Sequence, residues 1–161
     1  MRIGIISDTH IPDIASSLPA DIYEDLDGVD EIIQAGDLTS QAVRDRLEEL
    51  ASVSGVAGNC DRRAVREAFP QELTITREGI KISVHHGYGL GRDMLSRLSY
   101  KFDDSKVIIF GHTHRFYSEW HNDQLFLNPG SPTSPRRQNF GSYALLNICG
   151  EEEIDVEIKK I

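Results

Sequence analysis

The segment from 108 to 116, "IIFGHTHRF", joins a run of apolar residues to two histidines separated by one threonine. The apolar run is typical of a buried strand, and His112 and His114 follow directly after it. Because imidazole nitrogens bind divalent transition metals well, the pair is a candidate for two metal ligands. An H-x-H pair alone is a weak signal, so the rest of the chain has to supply further ligands.

Metal-competent side chains recur at five predicted strand ends, each with a carboxylate, an imidazole or a carboxamide. In chain order they are Asp8 and His10 in "SDTH", Asp37 in "AGDL", Asn59 and Asp61 in "AGNCD", His85 and His86 in "VHHG", and His112 and His114 in "FGHTH". In α/β sheets, ligands bind beyond the carboxyl ends of strands, where several loops converge. Each motif by itself is more often a turn or a helix cap. Five of them in order favour one shared metal site.

The first sixty residues alternate between strand and helix patterns. Strands are predicted at 2–7, 30–36 and 52–58, where β-branched residues precede polar turns. Helices are predicted at 20–27 and 40–51, with apolar residues three and four apart, and Ser40 is placed to cap the second helix. This alternation is typical of a parallel sheet with right-handed crossovers.

The second half of the chain is richer in strands. A β-hairpin is predicted over 72–87 with Gly79 in its turn, followed by a helix over 91–100. Further strands are predicted at 106–111, 116–121, 124–130, 142–148 and 153–160. About ten strands exceed what one small sheet holds comfortably. We therefore expect an α/β fold in which two packed β-sheets are flanked by helices on both outer faces.

Length and composition fit one soluble globular domain over residues 1–161, with 39% hydrophobic and 27% charged residues. The 17 basic and 26 acidic residues give a net charge of -9, which argues against a broad nucleic-acid or membrane surface. Cys60 and Cys149 form no CxxC pattern, so a disulfide scaffold is not expected. The N-terminal segment is too short and too polar for a signal peptide, and no apolar run has the length of a membrane span. A cytoplasmic location is expected.

The ordered motifs D-x-H, G-D, G-N-x-D, H-G and G-H-T-H resemble those of the calcineurin-like metallophosphoesterase superfamily. The chain is most similar to its small single-domain branch of bacterial and archaeal phosphodiesterases, to which the retromer scaffold subunit of eukaryotes also belongs. The resemblance extends from "DTH" at residue 8 to "NPGS" at residue 128. It implies a four-layer β-sandwich flanked by helices, in agreement with the two-sheet expectation.

The resemblance also implies a centre of two divalent metal ions. It assigns three ligands to the first ion, three to the second and one bridging carboxylate: Asp8, His10 and His114, then Asn59, His86 and His112, then Asp37. His86 matches rather than His85, because the family ligand directly precedes a glycine. Oxygen and imidazole ligands favour transition metals, with manganese first and nickel, iron, cobalt or zinc as alternatives.

The implied reaction is hydrolysis of a phosphodiester by a hydroxide that bridges the two ions and forms near neutral pH. The predicted catalytic residues are Asp37, Asn59, Asp61 and His112. Asp61 is expected to orient a histidine or its own loop. In "NPGS", Ser131 either reaches the phosphate or belongs to an ordinary turn.

Two positions depart from the family pattern. Cys60 stands where many larger relatives carry a histidine that protonates the leaving group, which predicts modest rates and a preference for good leaving groups. Tyr88 replaces a second histidine and is a candidate wall of the substrate pocket. Arg62, Arg92 and Arg115 are either binding residues for a second phosphate group or surface arginines.

The leading hypothesis is a metal-dependent phosphodiesterase acting on a small phosphodiester. The first alternative is a scaffold or binding module that kept the fold and lost the chemistry. The second is a phosphomonoesterase or nuclease that uses the same site. All seven ligand positions hold competent residues, which favours the enzyme. By resemblance, the protein is expected to assemble as a homo-oligomer, a dimer or a tetramer.

Overall fold

The apolar and β-branched segments form strands, and the segments with helical periodicity form helices. The computed structural model describes residues 1–150 and 153–161. The strands within these residues are β1 (Arg2–Ile6), β2 (Glu31–Gln34), β3 (Ser52–Gly55), β4 (Glu72–Arg77), β5 (Ile80–His85), β6 (Val107–Phe110), β7 (Phe116–His121), β8 (Gln124–Pro129), β9 (Ser142–Ile148) and β10 (Ile154–Lys160). The helices are α1 (Ala20–Leu26), α2 (Gln41–Glu48), α3 (Arg63–Ala68) and α4 (Met94–Lys101), the last preceded by a 3-10 turn (Gly91–Asp93).

The first sheet brings three of the candidate loops to one edge. Its strand order is β10-β9-β1-β2-β3, and β1, β2 and β3 run parallel. Ile6 at the end of β1 pairs with Gln34 at the end of β2, which in turn pairs with Gly55 at the end of β3. The three strands therefore end at the same level, and their following loops leave from one edge.

The second sheet brings the remaining two loops to an edge in the same way. Its order is β4-β5-β6-β8-β7, with β5, β6 and β8 parallel and the outer strands antiparallel. His85 pairs with Phe110, so the "VHHG" and "FGHTH" segments leave their strands side by side. The predicted hairpin is confirmed: β4 and β5 are joined through Glu78 and Gly79, both with positive φ.

Three groups of buried apolar residues hold the layers together. The largest lies between the two sheets and includes Ile5 of β1 and Ile109 of β6, which are fully buried. On the outer face of the first sheet, Leu26 of α1 and Leu47 of α2 are fully buried. On the outer face of the second sheet, Leu98 of α4 is fully buried. Burial of apolar area on both faces of each sheet stabilises the fold, and the predicted arrangement of two sheets between helices is confirmed.

The helices are short, and one prediction about them needs correction. Helix α3 was absent from the prediction, because its six residues bury only Val65 and show no helical periodicity. Ser40 is the N-cap residue of α2, as its position predicts, but its side chain makes no capping hydrogen bond. None of the helices in the described residues has the length and apolar character that a membrane crossing requires.

Candidate metal centre

The loops that follow β1 and β6 bring three predicted ligands into one buried group. Asp8 Oδ1 lies 3.3 Å from His114 Nε2, and His10 Nε2 lies 3.2 Å from His114 Nε2. His10 Nε2 is also 3.8 Å from Asp8 Oδ1. All three residues are buried, with Asp8 at 0% exposure. Their ligand atoms lie within 4.8 Å of one another, which is close enough to bind one ion together.

Asp37 joins this group to a second one. Its Oδ2 lies 3.6 Å from His10 Nε2 and 3.2 Å from His86 Nε2. Its Oδ1 accepts a hydrogen bond of 2.7 Å from the backbone N–H of Cys60. One carboxylate therefore faces imidazoles from both predicted ligand sets, which is the position that a bridging ligand needs.

The second set of predicted ligands is more open to solvent. The His112 ring packs edge-on against His86, with 5.3 Å between the ring centroids, and is only partly buried. Asn59 is exposed, and its amide donates a 3.2 Å hydrogen bond to Cys60 Sγ. His85 belongs to none of the candidate ligand groups among the described residues, and its Nδ1 accepts a hydrogen bond from the backbone N–H of Gly87.

Cys60 was expected beside the reacting groups but not among the possible metal ligands. Its Sγ forms a group with ligand atoms of His10 and Asp37, all within 4.8 Å of one another. Burial and the Asp37 carboxylate raise the pKa of the Cys60 thiol to about 11, so it stays protonated near neutral pH. A metal ion binds thiolate rather than thiol. The two groups with only oxygen and nitrogen ligands, Asp8 with His10 and His114 and Asp8 with Asp37 and His86, are therefore the better candidates.

Left-handed backbone conformation is concentrated at the candidate ligands, which are five of the nine non-glycine residues with positive φ in the described part of the chain. These five have φ between 46° and 69°: Asp8, His10, Asp37, His112 and His114. This left-handed region is uncommon for residues other than glycine, and such strain concentrates at functional sites.

A close approach at Gly111 makes room for the cluster. A Cβ at this position would overlap Ser7 Oγ and lie 2.9 Å from Asp8 Oδ2. Glycine therefore lets the residues after β6 come close to those after β1. As a result, the backbone N–H of His112 donates a 2.9 Å hydrogen bond to Asp8 Oδ2.

Asp61 lies behind the cluster and holds its loops. Its carboxylate accepts hydrogen bonds from the backbone N–H groups of Asp37 (3.1 Å), Thr39 (2.6 Å) and Gly58 (2.6 Å). With 0% exposure, it does not reach a substrate. Its position agrees with the predicted role of orienting a loop, and we describe it as a positioning residue.

Ser131 belongs to the turn and not to the phosphate site. Its hydroxyl donates a 2.7 Å hydrogen bond to the backbone carbonyl of Asp8 and accepts one of 2.9 Å from the N–H of Ser134. The side chain is fully buried. Of the two readings of "NPGS", the ordinary turn is the one that the structure supports.

The titratable groups of the cluster have strongly shifted pKa values. Burial raises the pKa of Asp8 to about 7. Burial acts in the same direction on Asp37, but His86 and the N–H of Cys60 outweigh it and lower the pKa to about 2. Burial disfavours protonated His86, yet the carboxylates of Asp37 and Asp8 raise its pKa to about 9. Burial lowers the pKa of His114 to about 4. Such opposed shifts among neighbours are typical of functional sites.

Arg136 is a further candidate that the sequence reasoning missed. Burial lowers the pKa of His10, His112 and His114, and the positive charge of Arg136 adds to this effect for all three. The residue lies in the loop after "NPGS" and is exposed. The sequence feature that could have identified it is the pair of adjacent arginines at 136 and 137. Of the arginines that were predicted, Arg62 pairs with Asp13 at 2.6 Å, whereas Arg92 and Arg115 are exposed.

Two histidines of the cluster have their Nε2 atoms fixed toward it. His86 Nδ1 lies 2.8 Å from the carbonyl oxygen of Ala35, and His114 Nδ1 lies 2.7 Å from that of Ser134. Because a carbonyl oxygen only accepts, each Nδ1 carries a proton, and the ring can offer a lone pair to a metal ion at Nε2 once that atom is deprotonated. This is the usual arrangement of histidines that bind metal through Nε2.

Buried polar atoms that lack a hydrogen-bond partner indicate whether the cluster is suited to a metal ion. In the part of the chain that the structure describes, Asp8 Oδ1 and His86 Nε2 are buried without a hydrogen-bond partner. Buried polar atoms without a partner are rare and costly. A cation between these carboxylates and imidazoles would satisfy both atoms. The residues present therefore fit divalent metal ions.

Comparison with known proteins agrees with this fold and cluster. The model of the calcineurin-like phosphoesterase superfamily domain matches residues 1–151. A probable metallophosphoesterase of Methanothermobacter thermautotrophicus is 40% identical over 160 residues, covering 98% of this chain and 91% of the relative. A phosphodiesterase of Methanocaldococcus jannaschii is 29% identical over 144 residues, covering 81% and 83%.

Solved structures give the same result for the fold. Wild-type Vps29 from Entamoeba histolytica, in complex with zinc, aligns with a TM-score of 0.81 at 25% identity and covers 99% of both chains. Vps29 of Chaetomium thermophilum aligns with a TM-score of 0.81 at 24% identity, covering 99% of this chain and 96% of the other. The architecture is that of the metallophosphoesterases. The chain belongs to the calcineurin-like phosphoesterase superfamily.

Proposed function

We propose that this protein is a phosphodiesterase that uses two divalent metal ions. The observation that carries the proposal is the position of Asp37 between two imidazole sets, beside buried atoms that lack a hydrogen-bond partner. In this proposal Asp8, His10 and His114 hold one ion. Asn59, His86 and His112 hold the other, and the Asp37 carboxylate is shared.

The two ions, when bound, would lower the pKa of water to near neutral and offset the negative charge of the phosphate. The protein's own groups position the reactants. Asp61 holds the loops that carry Asp37 and Asn59 through its three backbone hydrogen bonds. Arg136 places a positive charge near the histidines, where a phosphate oxygen would be stabilised.

Diesters are the favoured substrates for two reasons. The position that carries an imidazole acid in many relatives is Cys60, and among the described residues no cap covers the exposed side at Asn59 and Tyr88. A leaving group that needs no protonation is therefore favoured, and the open side admits a second substituent on phosphorus. One of the curated relatives is named a phosphodiesterase, which supports the same choice.

The ligand set of carboxylate, imidazole and amide favours manganese, with nickel, iron, cobalt and zinc as alternatives. The zinc complex of the similar Vps29 supports a transition metal at this site. The acidic net charge of -9 supports a small diester over a nucleic-acid polymer. Location in the cytoplasm and assembly as a homo-oligomer stay predictions.

The experiment is a pair of chromogenic substrates across a panel of metals. Protein loaded with manganese or nickel is expected to hydrolyse bis(p-nitrophenyl) phosphate with a higher kcat/KM than p-nitrophenyl phosphate. Equal or reversed preference would favour the phosphomonoesterase. No hydrolysis with any metal, in protein that binds two ions, would favour the scaffold role that the likeness to Vps29 raises.

A further inference from the structure

A cavity of about 310 Å³ adjoins the open side of the metal centre. It shares Asn59 and His86 with the candidate ligands, and its other polar walls come from Arg66, Gln71, His85 and Tyr88. A phosphate held by Asn59 and His86 would therefore have one substituent directed into this cavity. The volume is at the small end for ligand pockets and suits one ring system with its sugar.

The aromatic wall of the cavity is an exposed ring held in place. Tyr88 is 61% exposed, and its ring contacts His112 edge-on with 5.5 Å between the centroids. The flanking Gly87 and Gly89 have φ values of 101° and 81°, which glycine adopts without strain and which let the chain turn on either side of the tyrosine. Stacking of a planar group on a large exposed aromatic ring removes apolar surface from water and is therefore favourable.

The remaining walls present hydrogen-bond donors. His85 Nδ1 accepts a 2.8 Å hydrogen bond from the N–H of Gly87, so the neutral ring carries its proton at Nε2. Arg66 is anchored by the 2.7 Å hydrogen bond from Nε to the backbone carbonyl of Asp61, and its terminal NH₂ groups remain for a ligand. Gln71 adds an amide that both donates and accepts.

We propose that this cavity binds the nucleoside portion of a nucleotide phosphodiester. The base stacks against Tyr88, and its carbonyl and ring-nitrogen acceptors face His85, Gln71 and Arg66. An acyl chain or another purely apolar group would leave these donors unsatisfied, which disfavours a lipid substrate. This inference rests on the proposed function, because it names the substrate class of the same site.

Two substrates with the same leaving group isolate the cavity's contribution. They are thymidine 5′-(p-nitrophenyl phosphate) and methyl p-nitrophenyl phosphate. In each, a bond forms between water oxygen and phosphorus, the bond from phosphorus to p-nitrophenolate breaks, and the water proton passes to solvent. We expect the manganese-loaded protein to prefer the thymidine ester by about ten-fold in kcat/KM, since base–aromatic stacking supplies an effect of this size.

Substitutions at Tyr88 test where the preference originates. Tyr88→Ala is expected to lower the ratio of the two kcat/KM values by about ten-fold, whereas Tyr88→Phe keeps the ratio because the ring remains. The matched control is Tyr100→Ala, which removes a tyrosine that is 89% exposed on α4 and leaves the ratio unchanged. Effects common to both substrates cancel in the ratio.

A binding measurement separates this inference from the proposed function. Thymidine 5′-monophosphate is titrated into metal-free protein and into Tyr88→Ala, with chemical shifts of the His85 and Gln71 amides as the readout. Saturable shifts that weaken in Tyr88→Ala support the cavity even if no diester is hydrolysed. Hydrolysis of both esters at equal kcat/KM, with a ratio that Tyr88→Ala does not change, would overturn the cavity and leave the phosphodiesterase standing.

Discussion

The two halves of the metal centre are built differently. Asp8, His10 and His114 are buried and lie within 4.8 Å of one another before any metal is considered. On the other side, His112 is only partly buried and Asn59 is exposed. The fold alone therefore brings the ligand atoms of the buried half together, whereas the candidate ligands of the open half remain in contact with solvent. Asp37 connects the two.

This contrast has a physical origin in the sheets. The buried half is formed by loops after β1 and β6, strands that lie inside their own sheets with a neighbour on each side. Asn59 follows β3, which is the edge strand of the first sheet. The edge position of β3 accounts for the exposure of Asn59, whereas His112 follows the interior strand β6 and is only partly exposed.

Removal of the shared carboxylate should produce the largest effect. Asp37→Asn keeps the shape of the side chain but removes the charge that faces both imidazole sets, so affinity for both ions falls. We expect kcat/KM for bis(p-nitrophenyl) phosphate to drop by about 1000-fold, which corresponds to several kcal/mol of charge stabilisation. The assay is run with measured metal content. Asp155→Asn, an exposed aspartate on β10, is the matched control. Retention of more than a tenth of the activity would contradict the bridging role.

Substitution of one ligand in each half of the centre should affect the binding of the two ions separately. Asparagine is used because it tolerates the positive φ of His112 and His114. In a calorimetric titration with manganese, the unchanged protein is expected to show a tighter and a weaker phase. His112→Asn should weaken only the weaker phase, by about 100-fold, and His114→Asn should weaken the tighter one, since ligand removal exceeds the effect of outer hydrogen bonds. If both variants altered the same phase, the two halves would not be separate sites.

A smaller effect is expected in the pH dependence of the metal-free protein. The folded pKa of His86 is raised to about 9 from 6.5. The stability that its proton contributes is therefore full below pH 6.5 and is lost as the pH rises toward 9. The lowered pKa of His114, about 4, acts in the opposite window, where stability is lost as the pH falls from 6.5 toward 4. Between pH 7 and 9 the effect of His86 dominates, and the raised pKa of Asp8, about 7, adds a smaller loss of stability at the lower end of this range.

Denaturant unfolding in the presence of a chelator measures this pH dependence of the stability. We expect the free energy of unfolding to fall by about 2 kcal/mol between pH 7 and 9. In His86→Gln, the same change of pH should have little effect. A flat profile for the unchanged protein, or an equal slope in His86→Gln, would show that the buried imidazole is not held protonated by Asp37 and Asp8.

The sequence predicts the two-sheet fold well, because strand patterns and polar turns are local signals. It also indicates which side chains collect at the strand ends, since parallel strands must end at a common edge. Helix α3 escaped prediction because one buried valine, Val65, leaves no periodicity to detect. A Ser40 hydroxyl suited to capping can still point elsewhere, and that choice depends on tertiary contacts.

Within the site, the sequence could not distinguish residues that contact a metal or substrate from residues that hold the loops in place. Asp61 is chemically able to bind metal or substrate, but three backbone N–H groups from two loops occupy its carboxylate. Ser131 is likewise engaged by the backbone of Asp8. Arg136 lies far along the chain from the histidines whose pKa values it lowers. These roles depend on which loops meet in space, and residue type does not encode that.

The most direct test of the dinuclear centre is a count of the ions. Crystals of manganese-loaded protein, measured at the manganese absorption edge, give the number and position of the ions from anomalous scattering. We predict two peaks for each chain, one beside Asp8, His10 and His114, the other beside His86 and His112, with Asp37 between them. A single peak, or none, in protein that is saturated with manganese would contradict the account.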